Sequence, residues 1–260
     1  VLKSRVDECA PFENVYTLAL RGLHDRAMNA SNNMSDRKEM LQEALMAQRQ
    51  MLVDAIGKRA EDIPQAFTPY KEVLDVYDQG LELPDDVTII WPDDNYGYMK
   101  RLSSPKEQKR SGRSGVYYHS SYLGKPHDHL WMNTTSPTLM YEELRKAYDL
   151  TADRIWLLNA GDIKSCEFAV DYFLTMAFDI DSFNFERAAN YRTEWLCGML
   201  GNDYRNEYQD VINSFYKLAF ARKPEFMGWG YQWATDKHGR ERNTDTDFSL
   251  ANYREVDTRP

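Results

Sequence analysis

The chain has 260 residues, 42% of them hydrophobic, and a formal net charge of −9 at pH 7. That length and apolar share supply a globular core, while no run of about eighteen apolar residues offers a membrane span. The acidic balance, with no basic block against it, excludes duplex nucleic acid as a partner but leaves room for an acidic small ligand where cations gather locally.

Cys9, Cys166 and Cys197 stand far apart, with no CxxC or CxH spacing. Neither a zinc site nor a disulfide framework is indicated, and buried thiols are the expectation. The opening VLKSRVDECAPFENV has neither the order of a signal peptide nor an initiator Met, and reads as a processed end or an interior boundary. Localisation stays open among secreted, periplasmic and cytoplasmic.

In chain order, residues 15–20 (VYTLAL) form a short apolar strand that empties into Arg21-Gly22-Leu23-His24-Asp25-Arg26. A helix follows: Asp36 and Glu39 have capping-box spacing, and Leu41, Ala44, Leu45, Leu52, Ala55 and Ile56 make one buried stripe. A second strand at 65–68 runs into Pro69-Tyr70-Lys71-Glu72, and a short helix over 73–79 closes at Gly80. The third strand, at the head of VTIIWPDDNYGYMKR (87–101), stops at Trp91-Pro92 and is followed by Asp93-Asp94. Strands at 116–120 and 154–158 and helices at 141–148 and 164–176 continue the alternation. From 185 to 221 the periodicity is helical, without strand signals.

Short strands alternating with helices predict an α/β fold with a parallel sheet, closed as a barrel or doubly wound. No Gly-rich phosphate or dinucleotide motif follows a strand, which favours the barrel. In a (β/α) barrel, polar residues past the strand C-termini build the site. Here those residues are Arg21 to Asp25, Tyr70 to Glu72, Asp93 to Asn95, His119 to Tyr122 and Asn159 to Asp162.

These clusters hold carboxylates, amides, one imidazole, phenols and guanidinium groups, without a Cys nucleophile or an HExxH. Glycosidic hydrolysis fits, because it needs one carboxylic acid for the leaving oxygen and a second carboxylate for water or carbon. Trp91, Tyr96, Tyr98, Tyr117, Tyr118, Tyr122 and Trp131 suit sugar faces; each alone reads more readily as a core cap, and it is their clustering beside carboxylates that favours a sugar site. Glu72 reads as a general acid or as a first-turn Glu complementing a helix dipole. Arg21 and Asp25 read as ligand groups or as an ion pair, and His119 with Tyr122 as a sugar contact or as structural groups. The adjacent Asp93 and Asp94 cannot flank a sugar from opposite faces, so Asp93 is kept as a single candidate.

The stretches WPDDNYGYMKRLS (91–103), SGVYYHSSYLGKPHDHLW (114–131) and RIWLLNAGDIKSCEF (154–168), with YTLALRGLHDRAM (16–28) and TPYKEVLD (68–75), resemble glycoside hydrolase family 115, the xylan α-1,2-glucuronidases. The resemblance implies an incomplete TIM-type barrel over 1–181, followed by the start of an α-helical bundle over 182–260. It also implies inverting removal of (4-O-methyl-)glucuronic acid from glucuronoxylan or aldouronic acid oligosaccharides, with no cofactor and no metal. Carried over by position, Glu72 is the catalytic acid and Asp25 or Asp93 activates or orients water. Arg21, Tyr70, His119, Tyr122 and Asn159 surround the uronate. Family members are several times longer, so an open barrel here implies a homodimer or association with further segments. The competing reading is a non-catalytic module that holds an acidic carbohydrate.

Overall fold

A computed structural model of the chain describes residues 2–22, 27–28, 33–122, 130–161, 163–221, 223–226, 233–235 and 241–243. Strand β1 (Tyr16–Thr17) pairs in parallel with β2 (Gln65–Phe67), β2 with β3 (Thr88–Pro92), and β3 with β4 (Ser114–His119). Strand β5 (Ala152–Asn159) completes a five-stranded sheet in the order β1-β2-β3-β4-β5. After α1 (Leu2–Cys9), helices α2 (Met34–Ile56), α3 (Glu72–Asp78) and α4 (Pro137–Asp149) lie in the crossovers from β1 to β2, β2 to β3 and β4 to β5. The fold is α/β with a parallel sheet, as the alternation predicts. Every residue of β3 is buried, which is why it reads as an unbroken apolar run rather than an alternating one.

The chain divides into two compact units that interleave in sequence. The first comprises residues 1–94, 99–118 and 144–157. Its core joins Leu41, Leu45 and Leu52 of α2 to Phe67 of β2 and to Val73 and Val76 of α3. The Arg49 guanidinium donates to the Gln65 side chain at 2.9 Å and to Asp86 at 2.8 Å, tying α2 to the entrance of β2 and to the segment before β3. Helix α2 starts earlier than its sequence predicts. Asn33, not the Asp36–Glu39 pair, is its cap and accepts from the Ser35 N–H at 3.0 Å, while Gly57 closes the other end at φ 72°.

Also in the first unit, Trp91 is fully buried and its indole donates to Ser103 Oγ at 2.9 Å. It is therefore a core residue, not a sugar platform, and so is Tyr118, also fully buried. Arg101 stacks on Trp91 with 4.4 Å to the ring centroid and pairs with Glu107 at 2.9 Å and Asp78 at 2.9 Å. Glu107 accepts further from the Ser104 N–H at 2.8 Å and the Tyr77 hydroxyl at 2.7 Å. Burial alone raises the Glu107 carboxyl, but donors from Arg101, Ser104 and Tyr77 outweigh it and bring it down to about 2. Burial and the same carboxylate push the Tyr77 phenol far up.

The second unit comprises residues 95–98, 119–143 and 158–260. Helix α5 (Ile163–Phe178) buries Cys166, Phe168, Tyr172, Phe173 and Met176. Tyr172 donates to the Pro137 carbonyl at 2.8 Å and sits edge-on to Phe183 and Tyr191. The long helical stretch is two helices, α6 (Phe185–Leu200), capped by Asn184, and α7 (Arg205–Ala221), separated where Gly201 takes φ 92°. Arg192 on α6 spans to α7 over Phe215 and donates to the Tyr216 hydroxyl at 2.6 Å. The polar tail contains an antiparallel pair that the sequence pattern does not show, β6 (Trp233–Thr235) with β7 (Glu241–Asn243). Cys166 and Cys197 are buried thiols as expected, whereas Cys9 is only half-buried. Among the described residues no helix is long and apolar enough to cross a membrane.

Candidate functional site

In the first unit, β1 gives way to Arg21 and β2 to Thr68-Pro69-Tyr70-Lys71 before α3 begins at Glu72. Pro69 cannot continue a ladder, so the chain leaves the sheet there. The turn is tight: the Tyr70 N–H donates to the Thr68 carbonyl at 2.9 Å, and the Val73 N–H to the Tyr70 carbonyl at 3.1 Å. Lys71 takes φ 52° and ψ −121°, a backbone region that side chains disfavour. This turn presents Glu72 to Arg21.

The Arg21 guanidinium grips the Glu72 carboxylate as a fork, Nε to Oε1 and Nη2 to Oε2, both at 3.1 Å. Both side chains are about one-fifth exposed, at 19% and 18%, so the pair is partly shielded yet open to solvent. The Tyr70 ring lies 5.3 Å from the guanidinium carbon and 5.0 Å from Lys71 Nζ. Tyr117 of β4 meets it edge-on at 5.9 Å. The local group is thus two cations, one carboxylate and one aromatic face. Lys71 falls within the Tyr70 to Glu72 cluster read from the sequence but is not singled out there, since nothing about a lysine announces a positive φ. Arg21 pairs with Glu72, fifty-one positions away; Asp25, the partner weighed from sequence, lies outside the described residues.

Asp93 follows β3 directly and is almost fully buried, 2% exposed. Its N–H donates to the Tyr117 carbonyl at 3.1 Å, extending the β3–β4 ladder, and it bridges to Met99.

The second unit carries the other candidates. His119, the last residue of β4, is buried and meets the Tyr122 ring edge-on at 5.5 Å, and Tyr122 meets Tyr96 at 6.1 Å. The spacing of three between His119 and Tyr122 therefore does bring the two rings together. Asn159 ends β5, and its carbonyl accepts from the Ser120 N–H at 3.0 Å. Gly161 follows at φ 63°, where an added Cβ would stand 3.1 Å from Ser121 Oγ. Asp162 lies outside the described residues. Among the described residues no group of His, Cys, Asp and Glu is arranged to hold a metal ion.

The sequence profile described as glycosyl hydrolase family 115 matches residues 1–226. No curated protein matches the chain. Among solved structures, the chain is similar to a family GH115 4-O-methyl-α-glucuronidase with specificity for decorated arabinogalactans, at 42% identity and a TM-score of 0.82. The match covers 87% of this chain and 30% of that one, so the chain spans under a third of the length of that enzyme. By profile and by structure, the chain belongs to glycosyl hydrolase family 115.

Proposed function

We propose that the chain is part of a glycoside hydrolase that removes glucuronic acid or its 4-O-methyl ether, α-1,2-linked to xylan or xylooligosaccharides, with inversion. The observation that carries this is the Arg21–Glu72 fork over Tyr70, directly past the ends of β1 and β2. A uronate requires a cation, and Arg21 offers planar bidentate donors. A glycosidic bond requires a carboxylic acid, and Glu72 stands beside that cation. Family membership favours the same activity. In this reading the five parallel strands belong to a (β/α) barrel over 1–181, and the helices from 182 begin a bundle.

Protonated Glu72 gives its proton to the glycosidic oxygen as the bond to the anomeric carbon lengthens. Asp93 or Asp25 takes a proton from water, which attacks that carbon from the opposite face. Both come from a different strand end than Glu72, as inversion demands. Tyr70 supplies an aromatic face, and His119, Tyr122 and Asn159 hold sugar hydroxyls.

The test is incubation with an aldouronic acid. Glu72→Gln lowers release of glucuronic acid by about 10²–10⁴-fold, the usual contribution of a general acid, with an unchanged melting temperature. Near-normal turnover by that variant removes Glu72 from the role. Saturable binding without release by the unmutated chain supports a binding module instead. Glucuronoxylan and a glucuronidated arabinogalactan run in parallel identify the polysaccharide, because the similar solved enzyme is specific for decorated arabinogalactans.

A further inference from the structure

Two glutamates of the first unit, Glu72 and Glu107, are each held by an arginine in a partly buried pair, and their surroundings differ. Glu107 accepts from Arg101, Ser104 and Tyr77, while Arg101 is fixed against Trp91 and paired to Asp78. That pair is locked. Among the described residues Glu72 accepts from Arg21 alone, through the fork whose Nε and Nη2 donors it fills. Any uronate that comes to Arg21 meets a guanidinium already neutralised by a carboxylate. Two carboxylates on one partly shielded cation repel, and the standard resolution is that one of them takes a proton.

We propose that the substrate's own carboxylate loads the acid: uronate binding at Arg21 drives one proton onto Glu72, so the leaving oxygen meets a protonated carboxyl only when an acidic sugar is bound. This deepens the proposed function and rests on it. A neutral sugar leaves the Arg21–Glu72 fork intact and loads no proton. Selectivity for uronates then lies in the protonation of the acid as well as in affinity. The coupling is reciprocal, so proton binding at Glu72 tightens uronate binding to the same degree.

Among the described residues, the charged and titratable groups in the fork and its turn are Arg21 past β1, Tyr70 and Lys71 just before Glu72 and Asp75 in the first turn of α3, with Tyr117 of β4 edge-on to Tyr70. Asp75 adds negative charge that favours uptake. Lys71 opposes it but sits over Tyr70 rather than in the fork. The sign is therefore uptake, not release.

The experiment is titration calorimetry of the chain with D-glucuronate, in buffers of different protonation enthalpy, between pH 5 and 8. The expected result is uptake of up to one proton per glucuronate, with the dissociation constant weakening by up to about tenfold per pH unit on the alkaline side. Glu72→Gln, which keeps the shape but not the charge, abolishes the uptake and flattens the pH dependence. It also binds glucuronate more tightly than the parent at pH 8, because the competing carboxylate is gone. Binding without proton uptake, or uptake that persists in Glu72→Gln, overturns the inference. If the chain still releases glucuronic acid from aldouronic acid in that case, the proposed function survives alone. Neither release nor binding overturns both.

Discussion

Glu107 and Glu72 show how little a residue type says without its partners. Stability at low pH falls to Glu107, whose folded carboxyl lies near about 2 against an ordinary 4.5. A depressed carboxylate stabilises the fold fully above its unfolded value, and that stability drains away as pH falls from about 4.5 toward about 2. Thermal melts across that window should show a steady loss, and Glu107→Gln should be less stable at pH 7 with a flatter decline below pH 4.5. For Glu72, the proposed general acid, substitution by Gln should leave the melt alone while lowering release of uronic acid by about 10²–10⁴-fold. The positions of Arg21, Tyr70, Glu72 and Asp93 past strand ends were legible in the sequence. The contact between Arg21 and Glu72 was not, because a pairing across fifty-one positions depends on which strands become neighbours. Trp91 misled for a simple reason. Its position beside Pro92 marks a strand end, but only packing shows that the indole turns into the core.

Elements were legible wherever periodicity and burial agree. The five strands of the sheet and helices α2 to α5 appear close to where their patterns put them, with ends displaced by a few residues because capping competes with periodicity. At the start of α2 the Asn33 side chain wins over the Asp36–Glu39 spacing. Asn33→Ala should cost about 1 kcal/mol, a drop of about 2–4 °C in melting temperature for a chain of this size. Strand β1 shows the opposite error, with six apolar residues giving only two paired ones, Tyr16 and Thr17. The β6–β7 pair has no apolar alternation to announce it. Glycine at position 115 is a stronger requirement than any cap: a Cβ there would sit 2.1 Å from the Ile155 carbonyl oxygen. Gly115→Ala should push β4 from β5 and destabilise by about 3 kcal/mol or more, the upper end of overpacking costs, visible as a lower denaturant midpoint.

For the whole molecule, charge and surface act together. The chain carries −9 at pH 7, has a sequence pI near 5.1, and exposes large apolar side chains such as Leu174, Phe178, Val211 and Phe220. Light scattering should therefore rise toward pH 5 and fall by pH 8, as self-repulsion grows. The fold class was legible at this scale from alternation alone; the interleaving of the two units was not, since it follows from where β4 and β5 end rather than from any linker. One side chain of α2 has a bearing on how the sheet can grow. Gln48 donates to the Ala19 carbonyl at 2.7 Å and accepts from the Ala19 N–H at 2.9 Å, doing for that residue what a neighbouring strand does. A helical amide thus acts as a plug at one point of the β1 margin. Any extended segment that aligns beside Tyr16 and Thr17 must halt at Ala19 or evict Gln48, so this side chain sets both the length and the register of whatever the margin accepts.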